Sequence, residues 1–277
     1  MLFIEFARKY LIEAAETLSP LTVRTYYWNL NKIEAYSPSL SVEEITAEFI
    51  RDYRTHLQNL GNKESTVSKA LSVFRTFTNK LILDGIITKN PFDRIKIRRV
   101  PSQRGFLTIH ELKSLYLNFL DRAPTLLKNE QDSLRTFLFS CFTGLRFGDL
   151  KTLDAKEIVN WKIHKQMHKT GEAVYIPIPI QARLLLPKIN KGRIFHVADN
   201  AYFNKRLRSG AKKLGCNRHL HCHMARHTFA TTCITIGIPL PVTSKLLGHR
   251  NLETTLIYAK YIDVLLDKEM KKFDHLK

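Results

Sequence analysis

The sequence has few cysteines, no long apolar run and a shortage of acidic side chains. Its four cysteines, Cys141, Cys216, Cys222 and Cys233, are too few and too scattered in 277 residues to form a disulfide framework. That excludes a small secreted fold held by cross-links. The longest apolar stretches, "FLFSCF" and "IGIPLPV", fall far short of the roughly 20 residues a membrane-spanning helix needs. The opening "MLFIEFARKY" puts Glu5 and Arg8 inside what would be the core of a secretory signal. The expected location is therefore the cytosol, with no membrane partner. No G-x-x-x-x-G-K-[ST] segment occurs, which removes the usual phosphate loop and with it the reason to invoke ATP.

What is abundant is positive charge. Forty-four Lys+Arg against 25 Asp+Glu give a formal net charge of +19 in a chain that is 44% hydrophobic and 25% charged. Such a chain folds, repels basic surfaces and draws in polyanions, nucleic acid first. A solvated basic surface or an acidic protein partner would show the same balance. From residue 105 onward there are 28 Lys+Arg against 14 Asp+Glu, so the second part of the chain carries most of the excess.

Apolar spacing predicts four helices in residues 1–87, a compact bundle with starts at Ser19-Pro20, Thr46 and Ser65 and stops at Gly61 and Gly85. Residues 88–104 read as a basic interdomain linker. Its Arg94, Lys96, Arg98, Arg99 and Arg104 are well placed to follow a phosphate backbone. Residues 105–260 read as a second domain, mainly α with a small β-sheet. Helices are expected at 108–120, 130–143, 147–152, 199–213, 224–236 and from 240 to the end. A β-hairpin with a Gly turn is expected around Lys169-Thr170-Gly171. Residues 261–277 are expected to form a tail helix whose stripe of Ile262, Leu265, Leu266, Met270 and Phe273 would pack on its own domain or on a neighbour.

Four short islands in the second domain join costly polar residues to apolar neighbours. In "SCFTGLRFGDL", Arg146 follows a strongly apolar helix with Asp149 one turn on, either as a structural pair or as an arginine awaiting an anion. Lys169 sits in the hairpin turn. In "HCHMARHTFATT", His223 and Arg226 share a helix face. In "LGHRNLETTLIYAKY", Tyr258 comes nine residues after His249. Phosphodiester transfer gives these residues one explanation. Two arginine forks would grip the nonbridging oxygens, and a tyrosine oxygen would attack once a neighbour accepts its proton. A lysine would then protonate the departing 5′-oxygen.

"TGLRFGDL", "HKTG…IPI", "HMARHTFAT" and "LGHRNLETTLIYA", in that order, resemble the successive boxes of the tyrosine recombinase, or phage integrase, family. "SPLTVRTYYWNL" and "STVSKALSVFRTFTNKLILDGIITKNPF" resemble its helical core-binding domain. The resemblance implies Arg146 and Arg226 on the scissile phosphate, Lys169 as general acid, and His223 and His249 assisting. Tyr258 would be the nucleophile and Asp149 a support. It implies a bacterial, nucleoid-associated recombinase that needs no cofactor and no metal. Its partners would be double-stranded DNA with specific sites, a homotetramer assembled on that DNA, and an accessory DNA-bending protein. The job would be integration, excision or inversion of a mobile element. The alternatives are Xer-type chromosome dimer resolution, a type IB topoisomerase, or a non-catalytic DNA-binding regulator.

The chain departs from the family pattern at Ala225, where leucine is common. Tyr261 is a competing nucleophile and Lys165 a second choice for the lysine. Cys216, His219, His221, Cys222, His223 and His227 crowd together but lack the paired ligand spacing of structural zinc.

Overall fold

A computed structural model describes residues 1–98, 105–189 and 191–258. The chain divides into two compact units between Ser102 and Gln103. Arg99, Arg104, Tyr261 and the tail helix expected at 261–277 lie outside the described residues.

The first unit is built from α1 (Phe3–Ala14), α2 (Pro20–Tyr36), α3 (Ala47–Asn59) and α4 (Glu64–Leu83). Two starts follow the capping logic. The side chains of Ser19 and Thr46 accept from the backbone N–H groups of Thr22 and Phe49, and Pro20 occupies the first helical position. The start expected at Ser65 lies at Glu64 instead, with Lys63 before it and no side-chain cap. Val67, Leu71, Phe74, Phe77 and Leu81 line one face of α4 and are buried against Phe3, Leu30, Ile33 and Tyr53. The unit continues past the expected bundle. Phe92 is buried, with its ring 5.5 Å from Phe74, and Ser68 Oγ donates to the Arg98 carbonyl at 2.7 Å. Residues 94–98 alternate, with Ile95 and Ile97 turned to the core and Arg94, Lys96 and Arg98 exposed. Three cations therefore line one edge of this unit.

The second unit contains α5 (Ile109–Arg122), α6 (Lys128–Thr143), α7 (Phe147–Lys151), β1 (Ile158–Val159), β2 (Lys162–Gln166) and β3 (Ala173–Pro177). These are followed by α8 (Ile180–Arg183), α9 (Asn200–Lys213), α10 (Cys222–Thr235), α11 (Leu240–Leu247) and α12 (Glu253–Leu256). Helix α6 runs through the core on Leu134, Phe137, Leu138 and Phe139. It is fixed to α9 by the buried Glu130, which accepts from Ser209 and Lys213 at 2.7 Å each. Helix α10 is buried on nearly every side from Met224 to Thr231, so it has no polar face to reveal its orientation in sequence.

Two expectations need correction. The expected hairpin is present as β2-β3 with Gly171 at positive φ, but it is not the whole sheet: Asn160 and Trp161 adopt positive φ (49° and 59°), close a second tight turn and add β1, giving an antiparallel sheet in the order β1-β2-β3. The helix expected from 240 onward stops at Leu247. Gly248 takes a left-handed φ of 59° as its cap, and the chain turns through residues 249–252 before α12.

Gly144 caps α6 in the same way at φ +71°, and a Cβ there would lie 2.5 and 2.8 Å from ring carbons of Phe229. Gly144→Ala should therefore cost about 2–4 kcal/mol in denaturant unfolding, from backbone strain plus overpacking. A loss under about 1 kcal/mol would show that α10 yields freely.

Candidate active site

Arg226 is the best-defined member of the site. It is 4% exposed, and its guanidinium donates from Nη1 to the Gly144 carbonyl at 2.7 Å and from Nη2 to the Leu247 carbonyl. These carbonyls end α6 and α11, so the cation lies where two helix dipoles are negative. That compensation is incomplete. Burial, followed by repulsion from Arg146, pushes the Arg226 pKa down to about 9, and the charges of Tyr258 and Asp149 act against it.

Arg146 comes two residues beyond the Gly144 cap, at the start of α7. Burial lowers its pKa too, with Asp149 opposing. Its Nη1 is buried with no hydrogen-bond partner among the described residues, and the same holds for Asp149 Oδ2. No ion pair joins the two among the described residues, so Arg146 is not spent on a structural pair. It is a desolvated donor at a position where an anion would satisfy it.

Asp149 is used differently. It is 1% exposed, and its Oδ1 accepts from the His168 backbone N–H at 2.9 Å. This bond anchors the hairpin one residue before Lys169, whose own side chain is exposed. The hairpin is held from the other side by the turn after α11. Thr170 Oγ1 donates to the Gly248 carbonyl at 3.5 Å, and Arg250 pairs with Glu172 at 2.8 Å. A Cβ on Gly248 would sit 2.7 Å from Val174 Cγ1, so only glycine lets the hairpin approach this closely.

That turn carries His249. Its Nδ1 lies 2.7 Å from Thr255 Oγ1, and the Tyr258 N–H donates to the Thr255 carbonyl at 3.0 Å. Thr255, which is fully buried, thus fixes both residues, and this is the physical content of their nine-residue spacing. Tyr258 is 5% exposed and belongs to a small apolar cluster with Phe229, Ala230 and Leu247.

Two lysines competed for one role in the sequence. Lys165 is 6% exposed and locked to Glu157 at 2.9 Å and to the Thr152 carbonyl at 3.3 Å. It staples the sheet to the loop after α7. Lys169 extends from the turn. His223 is exposed on α10, with its ring centroid 4.8 Å from that of His227. His227 is a residue that sequence reasoning missed: it is 4% exposed, and its Nδ1 makes a short hydrogen bond with Tyr258 Oη. Its one sequence signal is its place four residues after His223, on the same helix face.

The profile of the phage integrase family matches residues 106–263, and that of the phage integrase SAM-like domain matches residues 2–97. Among curated proteins, a tyrosine recombinase of Thermosipho africanus is 30% identical over 88% of this chain and 82% of its own length. The tyrosine recombinase XerC of Bacillus pumilus is 27% identical over 93% of this chain and 90% of its own length. Among solved structures, the Tn1549 transposon integrase in complex with a circular intermediate DNA has a TM-score of 0.77 at 17% identity, covering 93% of this chain and 95% of that one. A lambda integrase dimer bound to a COC′ core site has a TM-score of 0.76 at 20% identity, covering 95% and 96%. The chain belongs to the phage integrase family and is a site-specific tyrosine recombinase.

The two lysines should separate cleanly in this enzyme. Lys169→Ala should slow DNA strand cleavage by about 10²–10⁴ while leaving the melting temperature nearly unchanged. Lys165→Ala should destabilise the fold by about 2–3 kcal/mol, since it leaves Glu157 without its partner. A folded Lys165→Ala protein that has lost cleavage, beside an active Lys169→Ala, would reverse the assignment.

Proposed function

We propose that this recombinase integrates, excises or inverts a mobile DNA element, working in the cytoplasm on double-stranded DNA as a homotetramer. The observation that carries the catalytic assignment is the pair of desolvated arginines, Arg146 and Arg226, neither neutralised by an ion pair among the described residues. A phosphodiester supplies the missing anion. The guanidinium forks balance the charge that develops on its nonbridging oxygens, the work a metal ion does in other phosphoryl-transfer sites. Tyr258 attacks phosphorus, the bond to the 5′-oxygen breaks, and Lys169 delivers the proton that this oxygen needs. His223 and His249 border the reacting phosphate, and Asp149 holds the Lys169 hairpin.

The 3′-phosphotyrosyl ester keeps the energy of the broken bond, so the 5′-hydroxyl of a partner strand rejoins the DNA without ATP. Arg94, Lys96 and Arg98, with Arg99 and Arg104, contact the DNA backbone. Support for the tetramer comes from the fold's likeness to a lambda integrase tetramer bound to a Holliday junction, at a TM-score of 0.75. Support for a mobile element comes from the likeness of the "HMARHTFATT" to "LIYAK" stretch to element integrases. The relatives named XerC favour a second reading, chromosome dimer resolution.

The test uses end-labelled DNA from both flanks of the gene, nicked so that the 5′-hydroxyl fragment escapes, with chelator present and a detergent quench. Wild type and Tyr261→Phe should form a covalent protein–DNA adduct, and Tyr258→Phe should form none. An adduct that survives in Tyr258→Phe would overturn the nucleophile. An adduct formed on chromosomal DNA away from the gene, and not on its flanks, would favour dimer resolution.

A further inference from the structure

We infer that His227 is the proton acceptor for the Tyr258 nucleophile, an inference that rests on the catalytic assignment above. A phenol with a pKa near 10 is a poor nucleophile at neutral pH until a neighbour takes its proton. Tyr258 makes this requirement acute, because its ring is buried among Phe229, Ala230 and Leu247 and bulk water is not at hand. Among the described residues, His227 Nδ1 is in hydrogen-bond contact with its oxygen, in a bond short enough for direct transfer.

The surroundings set the direction of that transfer. His227 follows Arg226 in α10, and Arg226 is close enough to Tyr258 for their charges to interact. The acceptor role corresponds to the tautomer in which Tyr258 Oη donates this hydrogen bond and the Nδ1 lone pair of His227 receives it. The charge of Arg226 stabilises a developing tyrosinate. Beyond His227, the exposed ring of His223 stands edge-on at 4.8 Å, which gives the buried pair a polar neighbour toward solvent.

The step balances without another reagent. As Tyr258 Oη bonds to phosphorus, its proton passes to Nδ1 and His227 becomes imidazolium. The bond from phosphorus to the 5′-oxygen breaks, and that oxygen takes a proton from the Lys169 ammonium. On rejoining, the attacking 5′-hydroxyl returns a proton to the Lys169 amine. The phosphotyrosyl bond then breaks, and the leaving tyrosinate recovers its proton from His227.

The experiment measures the rate of adduct formation on the nicked flanking DNA, with DNA binding followed separately. His227→Asn places a side-chain oxygen where Nδ1 was, so the hydrogen bond to Tyr258 survives but cannot accept a proton. It should form the adduct about 10²-fold or more slowly, with DNA affinity unchanged. Replacing Tyr258 with 3,5-difluorotyrosine, a more acidic phenol, should remove most of that difference. A His227→Asn protein that reacts at the wild-type rate would overturn the inference and leave the rest of the site intact. An equal slowing with tyrosine and difluorotyrosine would make His227 structural, which overturns it too. A wild type that forms no adduct at all would overturn the Tyr258 assignment, and this inference with it.

Discussion

The second unit is organised around one buried cation. The Arg226 guanidinium caps two helices at once, taking the last free carbonyls of α6 and α11 through Gly144 and Leu247. Each helix ends there in a left-handed glycine, Gly144 or Gly248, and each chain then leaves toward the same place. Two residues past Gly144 comes Arg146, and one past Gly248 comes His249. A single side chain on α10 therefore fixes the exit points of two distant segments. This is why polar residues at positions 146, 226 and 249 share a location without touching in sequence.

The hairpin and Tyr258 are tied to the same frame. Asp149, one turn after Arg146, holds the hairpin through the His168 N–H, and Thr170 and Glu172 grip the turn around His249. Thr255 links His249 to the backbone of Tyr258. Most of these bonds involve buried or half-buried groups, where a satisfied network is rigid and a broken one is costly. The exception is the Glu172–Arg250 pair, exposed on both sides, which contributes little to stability. The remaining imbalance is electrostatic: Arg146 and Arg226 repel each other, and both stand below the usual arginine pKa. A folded protein tolerates two poorly compensated cations in one place when binding an anion offsets their cost.

Much of this was legible from local signals. Helices with a clean apolar stripe and a capping residue, such as α2 from Ser19-Pro20 and α3 from Thr46, declare themselves within a few residues. The TGLR and LGH segments carry their turns in a glycine. Three features were not legible. Trp161 at positive φ is a conformation that β propensity argues against, so the turn that creates the third strand was hidden. The interruption after Leu247 was masked by apolar residues that keep helical spacing on both sides of it. The contact of His227 with Tyr258 was beyond local reasoning altogether, because 31 residues and the whole of α11 separate them. Periodicity places a histidine on a helix face, but only packing shows what that face meets.

The central claim is that the paired arginines act by balancing charge on the scissile phosphate. The most direct measurement compares strand cleavage by wild type and Arg146→Ala on two DNAs, one normal and one with a neutral methylphosphonate at the cut site. Arg146 suits this test because it is half-buried, and its Nη1 has no hydrogen-bond partner among the described residues that the substitution would orphan. The account predicts a loss of about 10²–10³ on the phosphodiester, comparable to removing one preorganised donor, and a much smaller loss on the methylphosphonate. An equal loss on both DNAs would contradict it and reduce Arg146 to a structural residue.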